Sequence, residues 1–139
     1  MTEAPASREW PRLTPQMIEE RRHFPHMDGK AIFKEAVRRL PEVTNAALQQ
    51  AGLSKEDIDL YIPHQANMRI NQFYQQMMKL PEEKVFHNIQ RYGNTTAATI
   101  PLALDEAFEM GLIGKGSTVL FLGLGSGVTW GANIHRFPG

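Results

Sequence analysis

Residues 117–124 constrain the fold of this chain more than any other segment, because the sequence STVLFLGL is almost entirely apolar. Such a run predicts a β-strand covered on both faces, as in sheets with helices on each side. The glycines of residues 123–127 then predict a turn. Residues 128–137 alternate apolar and polar side chains, which predicts a second strand. The two strands are expected to form a hairpin.

Three upstream segments place apolar residues at steps of three and four, the spacing of a helix with one buried face. Shorter apolar runs predict strands at residues 58–62 and 85–86. The predicted helices are residues 29–51, ended by Gly52, residues 70–78, which stop before Pro81, and residues 95–110, closed by Gly111. Helices alternating with strands predict an α/β layered domain with a mixed sheet.

The first 28 residues lack this periodicity and are rich in proline and charge, so they predict an irregular arm with one helical turn around residues 16–22. The predicted organisation is therefore an arm, residues 1–28, followed by one domain, residues 29–139. A chain of 139 residues is long enough for one core.

Composition excludes several classes of function. Fifteen basic residues balance fifteen acidic ones, so a nucleic-acid partner has little electrostatic support. No apolar stretch approaches the roughly 20 residues of a membrane-spanning helix, and the first residues lack a secretory signal, so we expect no membrane association and a cytoplasmic location. The absence of cysteine excludes disulfides and any thiol nucleophile from this sequence.

Two polar residues occupy places where side chains point into a cleft. His64 directly follows a predicted strand, and strand ends are where open α/β sheets bind ligands. A helix cap is an equally good explanation for His64 from spacing alone. Asn94 precedes a predicted helix, where the simpler role of an N-cap outweighs catalysis on sequence alone.

The glycine cluster lacks the spacing of a nucleotide-binding loop and leads into a strand, which argues against phosphate binding. Its backbone N–H groups suit an oxyanion, although a simple hairpin explains it as well. The remaining histidines show no helical i, i+4 pairing of the kind that predicts zinc, so no metal site is expected. They are His23, His26, His87 and His135.

Four ordered motifs resemble β-ketoacyl-acyl-carrier-protein synthase III. The matching motifs are IPHQANMRI at residues 62–70, RYGNTTAA at residues 91–98, PLALDEA at residues 101–107 and GSGVTWG at residues 125–131. The segment beginning Met27-Asp28-Gly29 also resembles the opening of that family's C-terminal half. The resemblance covers nearly the whole chain, from about residue 27 to residue 137.

The resemblance implies the thiolase fold, built from two βαβαββ halves, with this chain as the second half. It implies an acyltransferase of fatty-acid biosynthesis that loads an acyl primer from acyl-coenzyme A onto a cysteine and condenses it with malonyl-acyl-carrier protein by decarboxylation. No cofactor beyond these substrates is implied. The cysteine belongs to the family's first half, so we expect a missing N-terminal half or subunit and no activity from this chain alone.

The resemblance also implies residue roles. His64 and Asn94 would be the catalytic donors, the backbone N–H near Ser126 would serve an oxyanion, and Arg69 would contact the acidic acyl carrier protein, with a surface salt bridge as its simpler role. The alternatives are a noncatalytic or scaffolding partner subunit and a related polyketide-type condensing enzyme. The presence of both donors argues against a noncatalytic subunit. The HQAN and GNT motifs argue against a polyketide-type enzyme.

Loss of the sister half would expose an apolar surface, so the isolated chain is expected to aggregate or form a dimer or other homo-oligomer.

Overall fold

The computed structural model describes residues 2–3, 10, 13–24 and 26–139. Within these residues the chain forms five α-helices and five β-strands. The helices are α1 (Pro15–Glu19), α2 (Gly29–Ala51), α3 (Met68–Met78), α4 (Ile89–Tyr92) and α5 (Thr99–Glu109). The strands are β1 (Thr2–Glu3), β2 (His26–Met27), β3 (Leu60–Pro63), β4 (Thr118–Gly125) and β5 (Thr129–Arg136).

The main sheet has three strands in the order β3-β4-β5. Strands β3 and β4 are parallel, with Leu60 opposite Val119. Strands β4 and β5 form the predicted antiparallel hairpin, with Leu124 opposite Trp130. The sheet is therefore mixed, as predicted. A separate small sheet pairs β1 with β2.

Both faces of the parallel pair β3 and β4 are covered, as the apolar run at residues 117–124 predicts. Successive side chains of a strand point to opposite faces. Tyr61, Leu120 and Leu122 therefore pack with helices α2 and α3 in one core. Leu60, Ile62 and Val119 pack with α5 in a second core on the other side. The result is a three-layer arrangement of helices, sheet and helix.

Helix α2 has the predicted bounds, and Gly52 caps it with a φ of 68°. Helix α3 ends as predicted but begins two residues earlier, at Met68, because the side chain of Asn67 caps it. The prediction for α5 is wrong at its start, since the α-helix begins at Thr99 and follows a 3-10 turn, Thr96–Ala98. Pro101 supplies the reason. A helix starting at residue 95 would place this proline in the interior, where its missing N–H removes a hydrogen bond, whereas here it lies in the first turn.

Two strand predictions need correction. Strand β3 spans Leu60–Pro63 instead of residues 58–62. Pro63 is tolerated because β3 is an outer strand of the three-stranded sheet. The predicted strand at residues 85–86 reduces to one parallel bridge between Val85 and Tyr61.

In the predicted arm, α1 lies close to the expected helical turn. Residues 1, 4–9, 11, 12 and 25 of the arm lie outside the described part of the chain.

Candidate active site

The parallel pairing of β3 and β4 brings two predicted site segments to one edge of the sheet. Parallel strands end on the same side, so His64, after β3, lies near the glycine turn after β4. Helix α5 leads back to the start of β4, which places its first residue, Thr99, at this same edge. The loop holding Asn94 immediately precedes that helix.

His64 is half-buried, and its Nδ1 lies 2.5 Å from the Thr99 hydroxyl oxygen. Burial lowers the pKa of the His64 imidazole from 6.5, which favours the neutral ring. His64 does not cap the following helix. Asn67 is the N-cap of α3, and its side-chain oxygen accepts the Arg69 N–H at 2.9 Å. The capping explanation for His64 is therefore wrong.

Asn94 is exposed, and its side chain has a defined orientation. Its Oδ1 accepts the Thr96 N–H at 2.9 Å, which leaves the two amide hydrogens of Nδ2 as its free donors. Asn94 is not the N-cap of α5, because that position belongs to Ala98, so the capping prediction is wrong. The tight local turn, not the helix, uses the asparagine side chain.

The turn around Asn94 has an unusual backbone. Gly93 has φ 67° and ψ −161°, a conformation that is essentially confined to glycine. Thr96 has a φ of 55°, which is uncommon for a β-branched residue. These two conformations set the direction in which the Asn94 side chain points.

His64, Asn94 and Ser126 line a single cavity of about 620 Å³. Trp130 and Thr99 also line this cavity. The complete lining consists of Met27, Ile32, His64, Ala66, Asn94, Thr96, Ala97, Thr99, Ile100, Gly123, Leu124, Gly125, Ser126, Thr129, Trp130 and Gly131. The structure thus groups the two predicted side-chain donors with the predicted glycine turn.

The glycine turn closes the cavity between β4 and β5. A Cβ added at Gly125 would lie 2.8 Å from the Thr129 hydroxyl oxygen, so this position is sterically restricted. Ser126 is exposed, and its N–H has no backbone acceptor within the described residues. That N–H is free to donate to a bound oxygen.

A buried polar network ties the His64 loop to the segment that carries Asn94. The Gln65 amide nitrogen donates to the Pro63 carbonyl at 2.6 Å and the Phe86 carbonyl at 3.2 Å. Its Oε1 accepts the Asn88 N–H at 3.2 Å. The Asn88 side chain donates to Glu106 at 3.0 Å, and Glu106 forms an ion pair with Arg91.

Sequence reasoning missed Thr99 and this network. In the sequence, Thr99 is only a position within the predicted helix of residues 95–110, because its partner lies 35 residues away along the chain. One signal was available for the network. Glu106 falls next to apolar residues on the buried side of α5, where a carboxylate requires partners.

Arg69 lies away from the cavity lining. It is exposed on α3 and has no acidic partner among the described residues. The predicted surface salt bridge is therefore not formed within that part of the chain. The described residues also contain no cluster of three or more metal-ligating acidic or histidine side chains, and none of their helices is long and apolar enough to cross a membrane.

A family model described as the C-terminal part of 3-oxoacyl-[acyl-carrier-protein] synthase III matches residues 48–137. β-Ketoacyl-[acyl-carrier-protein] synthase III of Aquifex aeolicus is 47% identical over 111 residues, which cover 80% of this chain and 36% of the relative. The enzyme of the same name from Roseiflexus castenholzii is 45% identical over 124 residues, covering 89% and 38%.

Solved structures give the same result. The synthase III of Thermus thermophilus has a TM-score of 0.82 at 44% identity, covering 84% of this chain and 36% of its own. That of Pseudomonas aeruginosa has a TM-score of 0.84 at 33% identity, covering 99% and 40%.

The fold and its edge cavity thus define a thiolase-like α/β domain. More narrowly, the chain belongs to the family of 3-oxoacyl-[acyl-carrier-protein] synthase III C-terminal domains. It spans between 36% and 38% of the length of the two curated relatives described above.

Proposed function

We propose that this chain supplies the hydrogen-bond donors of a condensing enzyme that joins an acyl primer to malonyl-acyl-carrier protein with loss of carbon dioxide. The observation that carries the proposal is the shared cavity of His64 and Asn94. The primer would arrive as acyl-coenzyme A, and no cofactor would be needed. The sequence has no cysteine, so the nucleophile would come from another polypeptide segment.

The chemistry requires neutral donors at one point. Loss of carbon dioxide from a malonyl thioester leaves an enolate, whose negative charge gathers on the thioester oxygen. The His64 ring would offer Nε2–H to the cavity, while its Nδ1 faces Thr99. Asn94 offers Nδ2, because its Oδ1 is occupied by Thr96. Both donors would hydrogen-bond the same oxygen.

The Ser126 N–H would serve a second oxyanion, that of the tetrahedral adduct formed when the enolate attacks the acyl thioester. Its position in the cavity lining supports this role. A backbone donor makes the serine side chain unimportant for the step.

Arg69 would meet the acidic acyl carrier protein. Its guanidinium is exposed and has no acidic partner in the described residues, so it can pair with a carboxylate of a partner protein. We further propose that residues 1–28 act as an arm on a domain of residues 29–139, and that the complete enzyme is a cytoplasmic homo-oligomer.

The test is kinetic. The chain is co-expressed with the N-terminal part of the Aquifex aeolicus relative, and malonyl-carrier decarboxylation and condensation are both measured. His64→Ala and Asn94→Ala should each lower the decarboxylation rate by roughly 10²–10³. Asn94→Asp should be at least as damaging, because a carboxylate still accepts the Thr96 N–H but places negative charge beside the enolate.

His135→Ala and Asn133→Ala are the matched controls, since both residues are exposed on β5 and outside the cavity lining. They should retain the wild-type rate. An active complex in which His64→Ala or Asn94→Ala behaves like its control would refute the assignment.

A further inference from the structure

We infer that Thr99 is a positioning residue for His64: its hydroxyl donates a hydrogen bond to Nδ1 and so fixes the tautomer that presents Nε2–H to the cavity. The inference deepens the proposed function and rests on it for the catalytic consequence. The direction of the hydrogen bond is argued from the burial and the partner of Thr99, independently of the proposed function.

Thr99 is buried, with 2% of its surface exposed. Its hydroxyl hydrogen therefore needs an acceptor from the protein. Within the described residues, the only partner of this hydroxyl is His64 Nδ1, at 2.5 Å. Helical threonines often donate instead to a carbonyl of the preceding turn, but no such bond forms here.

The direction is decided by the acceptor that the Thr99 hydroxyl hydrogen needs. If Thr99 donates, the hydroxyl hydrogen and the Nδ1 lone pair are both satisfied. If Nδ1–H donates to Thr99, the hydroxyl hydrogen remains buried without an acceptor, which is the costly arrangement. The neutral imidazole must then carry its proton on Nε2.

Burial lowers the pKa of His64, which agrees with a neutral ring at this position. The start of α5 fixes the other partner, since Thr99 is its first residue and has ordinary helical φ and ψ angles of −60° and −40°. The residue beside the imidazole is thus the one with which α5 begins.

The first measurement is the nitrogen spectrum of His64. The full chain, labelled with ¹⁵N-histidine and purified with the unlabelled N-terminal part of the Aquifex aeolicus relative, is compared with His64→Gln to assign the signals. We expect a pyridine-like shift for Nδ1 and a pyrrole-like shift for Nε2 at neutral pH. A pyrrole-like Nδ1 would overturn the inference, whether or not the complex has condensing activity.

The second measurement uses matched variants of Thr99. Thr99→Val keeps the shape but removes the hydroxyl, and Thr99→Ser keeps the hydroxyl. Thr99→Val should lower kcat for decarboxylation by about 10–100-fold, the range known for the loss of a group that orients a metal-binding histidine. KM for malonyl-carrier protein should change little, and the two nitrogen signals should move toward each other. Thr99→Ser should restore both.

A double variant separates positioning from a general structural effect. If Thr99 acts through the imidazole, adding Thr99→Val to His64→Ala should cause no further loss of kcat. An equal further loss in that background, or a Thr99→Val variant with the wild-type rate and spectrum, would overturn the inference. If the wild-type complex proves inactive, the proposed function fails, while the nitrogen shifts still decide the role of Thr99.

Discussion

At the scale of single residues, two half-buried histidines connect the site to the stability of the fold. Burial lowers the pKa of His64 and of His87, and at His87 the charge of Glu82 partly opposes this effect. Both His87 ring nitrogens are buried without a hydrogen-bond partner in the described structure. Protonation of either ring is therefore penalised in the folded state.

This penalty makes the free energy of unfolding depend on pH. The unfolded chain binds protons at these histidines more readily than the folded chain, so the free energy of unfolding should fall as the pH drops below about 6.5 and level off below the folded-state pKa values. Urea unfolding at a series of pH values from about 7.5 down to about 5 measures this pH dependence. His64→Gln and His87→Gln should each flatten the dependence. An unchanged slope in both variants would contradict this account.

The sequence predicted site positions better than site interactions. His64 and Ser126 follow strands, and their proximity follows from parallel strand ends. The roles of Asn94 and Arg69 came from motif resemblance alone. The bond from His64 to Thr99 was not predictable, because it depends on where α5 begins and on how closely that helix packs on β3.

At the scale of elements, the buried network of Gln65, Asn88 and Glu106 joins the loop after β3 to α5. Asn88 is 2% exposed, so its bond to Glu106 is shielded from water. Removing it would leave Glu106 with Arg91 as its remaining side-chain partner. The network therefore holds the His64 loop against the helix that follows Asn94.

We expect Asn88→Ala to lower the free energy of unfolding by about 1.5–3 kcal/mol, the range for a hydrogen bond to a charged group. Urea denaturation at neutral pH measures it. Asn133→Ala, at an exposed position on β5, is the control and should cost less than about 0.5 kcal/mol. A loss at Asn88 no larger than this control would show that the network contributes little.

Element bounds could be predicted where apolar residues repeat on one helix face without interruption, as in α2 and at the end of α3. They could not where proline and turn geometry compete with that pattern. Pro101 delays α5 to Thr99. The apolar pair Val85 and Phe86 forms one bridge, from Val85 to Tyr61, in place of a strand.

At the scale of the whole molecule, one side of the sheet is incompletely covered. The alternation in β5 directs Ala132 and Ile134 toward the core of α2, as predicted. Thr129, Gly131, Asn133 and His135, on the opposite face, are all exposed. Strand β5 also pairs with β4 alone among the described strands, so its other edge is open.

An open strand edge beside exposed apolar side chains favours association between chains. Trp130 is 39% exposed and Phe108 is 40% exposed. We expect the chain purified alone to self-associate with increasing concentration, as measured by sedimentation velocity. Co-purification with the N-terminal part of the Aquifex aeolicus relative should suppress it. A chain that stays monomeric at every concentration would contradict this expectation.

The central claim is that His64 and Asn94 donate to the same thioester oxygen. A crystal structure of the complex with a malonyl thioester analogue that cannot lose carbon dioxide tests it most directly. The account predicts that the thioester oxygen lies within about 3.2 Å of both His64 Nε2 and Asn94 Nδ2. An analogue bound in the cavity with that oxygen beyond hydrogen-bonding reach of either nitrogen would contradict it.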